Sequence, residues 1–150
     1  MIRIKRVYEP PAESDGARFL VDHLWPRGLK KEAVQVERWL KAVSPSNELR
    51  SWFGHEPAKW PEFQRRYIEE LNRQPESWAP LLETARTKDI TLVFSARDIE
   101  HNNAVALKTY LDKKLARKTP GKRTKLVSST SALRNQPKET YGQRRNQRAR

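Results

Sequence analysis

Apolar and polar residues alternate at the start of the chain, where Ile2, Ile4 and Val7 are separated by cationic positions. A period of two is typical of a half-buried strand. A second run, residues 18–24, is more continuously apolar, as expected for a strand buried on both faces. Residues 90–95 (Ile-Thr-Leu-Val-Phe-Ser) are β-branched and aromatic, and they predict a central strand.

Apolar residues three or four positions apart predict helices between these strands and after them. The clearest case is residues 57–73, where one face carries Trp60, Phe63, Tyr67 and Leu71. Further helices are predicted at residues 48–53, 76–86 and 101–115. Ser46 or Asn47 is suited to cap the first of these. Residues 34–40 fit both periods, and we favour a short strand there.

This order of elements predicts an α/β fold. We expect a small three-layer domain, residues 1–115, with a mostly parallel sheet of three or four strands flanked by helices. Parallel neighbours need crossover connections, and the helices between residues 57 and 86 can supply them.

The net charge of +13 is concentrated at the end of the chain. Residues 116–150 hold 11 Lys or Arg and one acid, whereas residues 1–115 hold 20 Lys or Arg and 17 acids. The last segment also has too few large apolar side chains to offset the entropy of ordering it. We therefore predict a basic, disordered tail over residues 116–150, which either binds nucleic acid through phosphates or serves solubility alone.

Composition narrows the class of protein further. The chain has no cysteine, which excludes a thiol nucleophile and a zinc ribbon. No apolar stretch approaches the roughly 20 residues that span a bilayer, and the first residues do not resemble a secretory signal. We expect a cytoplasmic protein with no membrane partner.

The first candidate loop follows the second strand and reads Asp-His-Leu-Trp-Pro-Arg-Gly, residues 22–28. Pro26 restricts Trp25 to extended geometry, so that Arg27 is displayed on a stiff turn at a strand end. A guanidinium held in this way suits phosphate or carboxylate. The simpler alternative is a structural turn in which Trp25 packs on the core and Arg27 pairs with an acid of this protein.

The second candidate loop follows the central strand and reads Ser-Ala-Arg-Asp-Ile-Glu-His-Asn-Asn, residues 95–103. The chain turns here into a helix, whose amino end presents free N–H groups and the positive end of its dipole. Ser95 and Arg97 could contact an anion at this point.

A structural interpretation of the second loop stays open beside the functional one. Asp98 could simply cap the helix, with His101 and Asn102 closing local turns and Arg97 in solvent.

The three histidines, His23, His55 and His101, each lie in a distinctive motif, but none has the spacing of a metal ligand pair. In a regular strand, neighbours such as Asp22 and His23 would face opposite sides, which argues against one shared site. We predict no metal site and no cofactor. Residues 52–55 (Trp-Phe-Gly-His) are typical of a helix end with Gly54 in a left-handed cap, and a lid over a pocket is the alternative.

Taken in order, these motifs resemble one known family. The two candidate loops, together with Leu-Arg-Ser-Trp-Phe-Gly-His at residues 49–55, resemble the YeaO-like branch of the bacterial domain-of-unknown-function family 488, over about residues 1–115. The resemblance implies a compact cytoplasmic α/β protein and no particular reaction. Another branch carries cysteines, which this chain lacks.

We therefore predict a small anionic ligand at the carboxyl ends of the strands. The acid or base candidates are Asp22, Asp98 and His101, and the ligand-binding candidates are Trp25, Arg27, Ser95, Arg97 and Asn102. Whether a reaction occurs is left open. The alternatives are a nucleic-acid-associated protein that uses its tail, and an interaction module that uses exposed tryptophans.

Overall fold

The computed structural model describes residues 1–122. They form four strands and five helices, joined by 3-10 turns at Glu13–Asp15, Lys41–Val43 and Pro57–Lys59. The strands are β1 (Ile2–Arg6), β2 (Ala17–Leu20), β3 (Arg38–Trp39) and β4 (Ile90–Phe94); the helices are α1 (Lys31–Val34), α2 (Asn47–Phe53), α3 (Trp60–Arg73), α4 (Pro75–Ala85) and α5 (Asn103–Lys122).

The strands form one sheet in the order β1-β4-β2-β3, and every pair of neighbours is parallel. Strand β4 lies between β1 and β2 and is buried along its whole length, which confirms the predicted central strand. The α/β class and the parallel sheet of three or four strands are confirmed as well. All four strands therefore end at the same edge of the sheet.

The sheet has an apolar core on each face. On one face, Leu20 and Val93 pack with Val7 and with Val34 of α1. Because side chains alternate along a strand, Ile90, Leu92 and Phe94 of β4 face the other side. The large buried side chains of α3, α4 and α5 supply that second core: Phe63, Tyr67, Leu81, Leu107 and Leu111.

A buried charged cluster lies at the amino end of the sheet, beside the first core. Asp15 accepts hydrogen bonds from Arg18 Nη1 at 2.7 Å and from Lys5 Nζ at 3.1 Å. Arg18 also donates to the carbonyl of Val34, and Thr91 of β4 donates to the carbonyl of Asp15. Arg18 can therefore be buried in an otherwise apolar strand, because each charged group of this cluster has a hydrogen-bond partner.

Two differences between the predicted and observed elements concern the strands. Strand β2 stops at Leu20 instead of residue 24, and residues 34–40 contain the end of α1 and a two-residue β3. The chain leaves the sheet after Val21, whose N–H makes the last bond to β4, 3.2 Å from the Val93 carbonyl.

Helix α5 extends to Lys122, beyond the predicted end at residue 115. The chain divides into two units, residues 1–113 and 114–150, and the second contributes the end of α5 to the described part. The rest of the predicted tail lies outside the described residues. Within residues 1–122, no helix is both long and apolar enough to cross a membrane.

Candidate functional site

The two candidate loops meet at the carboxyl edge of the sheet. Asp22 Oδ2 accepts hydrogen bonds from the backbone N–H and the hydroxyl of Ser95, both at 2.8 Å. Asn103 Nδ2 donates to the Val21 carbonyl at 3.0 Å, and Trp39 Nε1 donates to the Asp22 carbonyl at 2.8 Å. Residues about seventy positions apart in sequence are thus held in direct contact.

The early end of β2 explains why Asp22 and His23 share a site after all. Both residues follow the strand, so the alternation of a regular strand does not apply to them, and our argument from alternation was wrong for this pair. Both side chains line the cavity formed by the two loops.

That cavity has a volume of about 540 Å³, within the range of small-ligand sites. We refer to it as the strand-end cavity. Its walls come from five segments: the turn after β1, the loop after β2, helix α2 with the residues around it, Phe63 of α3, and the loop before α5. All three histidines of the chain line it: His23, His55 and His101.

A second cavity of about 550 Å³ lies beside it and shares His23, Ser44 and Pro45 with it. Apart from His23, it contains none of the residues of the two candidate loops. Its Glu70 is already engaged, because the carboxylate accepts bonds from the N–H and the hydroxyl of Ser46 at 2.9 and 2.6 Å. The strand-end cavity is therefore the better candidate site.

In the first loop, the backbone is held tightly and the guanidinium is left exposed. Trp25 is half-buried; its Nε1 donates to the Leu29 carbonyl at 2.7 Å, and its ring packs edge-on against Trp39. The Tyr8 hydroxyl donates to the Arg27 carbonyl at 2.9 Å. The Arg27 side chain lines the cavity, and in residues 1–122 it has no ion-pair partner.

In the second loop, Asp98 closes a turn and orients His101. Its carboxylate accepts from the N–H of Glu100 at 2.9 Å and lies 2.9 Å from His101 Nδ1. The hydrogen bond from Glu100, followed by that from the imidazole, holds the pKa of Asp98 below its ordinary value. A carboxylate in this position fixes the orientation of the imidazole ring.

Asn102, rather than Asp98, caps α5. Asn102 Oδ1 accepts from the N–H of Val105 at 3.0 Å, and Asn102 Nδ2 donates to the Asp98 carbonyl at 2.8 Å. Asn102 is 4% exposed. One of the free N–H groups that we expected to meet an anion is thus already occupied.

The structure separates the predicted site residues into two groups. Six of them line the strand-end cavity: Asp22, Trp25, Arg27, Ser95, His101 and Asn102. Asp98 and Arg97 do not line it, and the Arg97 side chain is exposed. Arg6 fixes the backbone here by donating to the carbonyls of Ser95 and Ala96, at 3.1 and 2.9 Å.

Sequence reasoning missed the contribution of α2. Arg50 lines the cavity, and its guanidinium donates to the Pro45 carbonyl at 3.1 Å and to the side chain of Asn47. Ser46 caps this helix and Gly54 ends it in the left-handed conformation, with φ 52°, as predicted. The motif at residues 49–55 was the signal that could have pointed to Arg50. Helix formation and the cap at Gly54 did not explain every residue of this motif.

The charged side chains that line the cavity have a net positive charge. Arg27 and Arg50 line it, and neither has a carboxylate within ion-pair distance in the described part of the chain. Among the described residues, Asp22 is the one acid that lines it, and Ser95 donates to that carboxylate twice. In residues 1–122, no three His, Asp or Glu side chains are grouped closely enough to hold a metal ion.

Fold and site together define a small α/β protein with a cationic cavity at the carboxyl edge of a parallel sheet. Residues 1–132 match the family described as "Inactive DUF488-N3 subclade", and the chain belongs to this YeaO-like part of domain-of-unknown-function family 488. The match extends past residue 115, where we expected the resemblance to end.

Two relatives show how far this similarity extends. The "Uncharacterized protein YeaO" of Escherichia coli is 39% identical over 110 residues, which are 73% of this chain and 96% of that protein. The "Uncharacterized protein Rv3073c" of Mycobacterium tuberculosis is 38% identical over 111 residues, 74% of this chain and 93% of that protein. No solved structure shows a significant match.

Proposed function

We propose that this protein binds a small anionic ligand in the strand-end cavity. The observation that supports this most directly is the pair of arginines, Arg27 and Arg50, which line the cavity without a carboxylate partner in residues 1–122. An arginine that lacks an internal counter-charge and faces a concave surface is suited to phosphate or carboxylate. The histidines around the cavity add hydrogen-bond donors.

Binding without turnover fits this chain better than catalysis. The family description names an inactive subclade. Asp22, our first acid or base candidate, directs Oδ2 to two hydrogen bonds that join the loops. His101, supported by Asp98, keeps the geometry of an oriented base, and its role in a reaction stays a prediction.

Calorimetric titration of the full chain with inorganic phosphate and with citrate tests the proposal. We expect Arg27→Gln and Arg50→Gln each to weaken binding about tenfold or more, because a hydrogen bond to a charged group contributes about 1.5–3 kcal/mol. Arg38→Gln is the matched control, since this exposed arginine on β3 lies outside the cavity. Equal weakening in all three variants would mean that only the overall charge matters, and the proposal would fail.

The basic end of the chain carries a second proposal, association with nucleic acid. Its support is the sequence charge, with 11 Lys or Arg and one acid in residues 116–150. Such binding would weaken steeply with salt and show little sequence preference. Binding of a DNA duplex that is unchanged after deletion of residues 117–150 would exclude it. A cytoplasmic location also stays a prediction, which cell fractionation tests.

A further inference from the structure

Five aromatic rings form a continuous row beside the strand-end cavity. Phe53 is the second ring of this row, with its ring centroid 4.4 Å from that of Phe63 and 6.2 Å from that of His55. Trp60 stacks on Phe63 at 5.5 Å and meets His101 edge-on at 5.3 Å. The row therefore begins and ends with an imidazole ring, and we call these five residues the aromatic row.

Four rings of the row line the cavity, and packing of the core explains the positions of two of them. Phe53 and Phe63 are 5% and 2% exposed, as expected for core residues. His55 is exposed and His101 is half-buried, so the imidazoles are the accessible rings. Packing of the core therefore does not explain why these two imidazole rings lie at the cavity.

Apolar side chains are also exposed on the rim of the same cavity. Tyr8 is 43% exposed and Leu24 is 69% exposed, and both line it. Exposed apolar surface around a cavity is typical of a site whose ligand has an apolar part. An inorganic anion would use the two arginines and leave this surface in water.

We propose that the anionic group of the ligand is attached to a planar aromatic ring, an inference that rests on the proposed function. The ring packs against the aromatic row at its exposed end, on His55. The anionic group, a phosphate or a carboxylate, accepts hydrogen bonds from the guanidinium groups of Arg27 and Arg50. Aromatic rings prefer offset-stacked or edge-on contacts with one another, which a saturated ring of the same size does not reproduce.

Titration of the full chain with matched compounds tests this inference. Phenyl phosphate, cyclohexyl phosphate and inorganic phosphate share the anion and differ in the ring. We expect phenyl phosphate to bind about threefold to tenfold more tightly than cyclohexyl phosphate, as one aromatic contact implies. Benzoate and cyclohexanecarboxylate repeat the comparison, and the tighter of the two aromatic compounds shows which anion the arginines favour.

The variants His55→Asn and His23→Asn locate the ring. Asn tolerates the positive φ of 60° at residue 55, so His55→Asn removes the ring at little conformational cost. His23 lines the same cavity outside the aromatic row, and its variant loses the same chemical group. We expect His55→Asn to reduce the preference for phenyl over cyclohexyl phosphate and His23→Asn to keep it.

Each outcome has a separate meaning. If phenyl and cyclohexyl phosphate bind equally and both bind through Arg27 and Arg50, the aromatic inference is overturned and the proposed function stands. If the preference exists but survives in His55→Asn, the ligand ring does not pack against His55, and the inference is likewise overturned. If no anion binds, the proposed function fails, and the inference fails with it.

Discussion

Asp15 links a lysine of β1 and an arginine of β2 from inside the protein, and its substitution by asparagine is the sharpest test of the fold. It is 5% exposed, as is Arg18. Its carboxylate accepts from Arg18 at 2.7 Å, from Lys5 at 3.1 Å and from the N–H of Ala12 at 3.0 Å. Asp15→Asn keeps the volume of the side chain and removes the charge that balances two cations.

The expected cost is about 3 kcal/mol or more, because breaking a buried pair and leaving one charge uncompensated typically costs 3–5 kcal/mol. The lower end applies because Arg18 keeps its bonds to the carbonyls of Val34 and Gln35. This would be a large fraction of the stability of an ordinary domain.

The effect should depend on pH in a known direction. Burial alone would raise the pKa of Asp15, but the hydrogen bonds from Ala12, Arg18 and Lys5 together outweigh burial and lower it. A carboxyl whose pKa is depressed in the folded state stabilises the fold above its unfolded pKa of about 4. That stability is lost as the pH falls through the folded pKa, so the wild-type advantage should shrink below about pH 4.

Urea unfolding followed by tryptophan fluorescence, at several pH values between about 3 and 7, measures both effects. Glu69→Gln is the control, since Glu69 pairs with Arg65 at the surface and should shift the midpoint little. A loss below about 1 kcal/mol at pH 7, or a difference between wild type and Asp15→Asn that does not vary with pH, would refute the reasoning.

Three other substitutions test the backbone and the helix packing by the same unfolding assay. Gly16→Ala should cost about 2 kcal/mol or more, because φ is +66° and the added Cβ would lie 2.2 Å from the Asp89 carbonyl oxygen; a neutral result would contradict that contact. Ser46→Ala should cost about 1 kcal/mol, since its Oγ accepts from the N–H of Leu49 at 3.1 Å and caps α2. Tyr67→Phe should cost about 1–2 kcal/mol, because its hydroxyl donates to a buried carbonyl, and no loss would mean that another donor replaces it.

The strand-end cavity illustrates how far prediction of the site could go. The loops that follow β2 and β4 were predictable, because parallel strands place their carboxyl ends at one edge. The detailed contacts were not: Arg97 was expected at the cavity and lies outside its lining, whereas Arg50 belongs to the lining. One residue of displacement in a loop turns a side chain away, and no local pattern fixes that direction.

The end of β2 could not be predicted from the local sequence either. The pattern of residues 18–24 predicted a strand that continues to residue 24, yet the chain leaves the sheet after Val21, and this brings Asp22 and His23 to one cavity. Asp22 finds its partner in Ser95, a residue whose position depends on the pairing of β2 with β4. The need for a partner was visible in the sequence, but its identity was not.

What the sequence by itself determined is local: the parallel α/β class, the central strand, a cap of α2 at Ser46 or Asn47, which the structure assigns to Ser46, and the left-handed Gly54. These features depend on periodicity and on the conformational preferences of single residues, which neighbours in the chain are enough to set. Only the tertiary structure decided the strand order β1-β4-β2-β3, the junction of Asp22 with Ser95 and the aromatic row beside the two arginines. Those depend on crossover connections and on packing between residues far apart in sequence, where many arrangements satisfy the same local pattern.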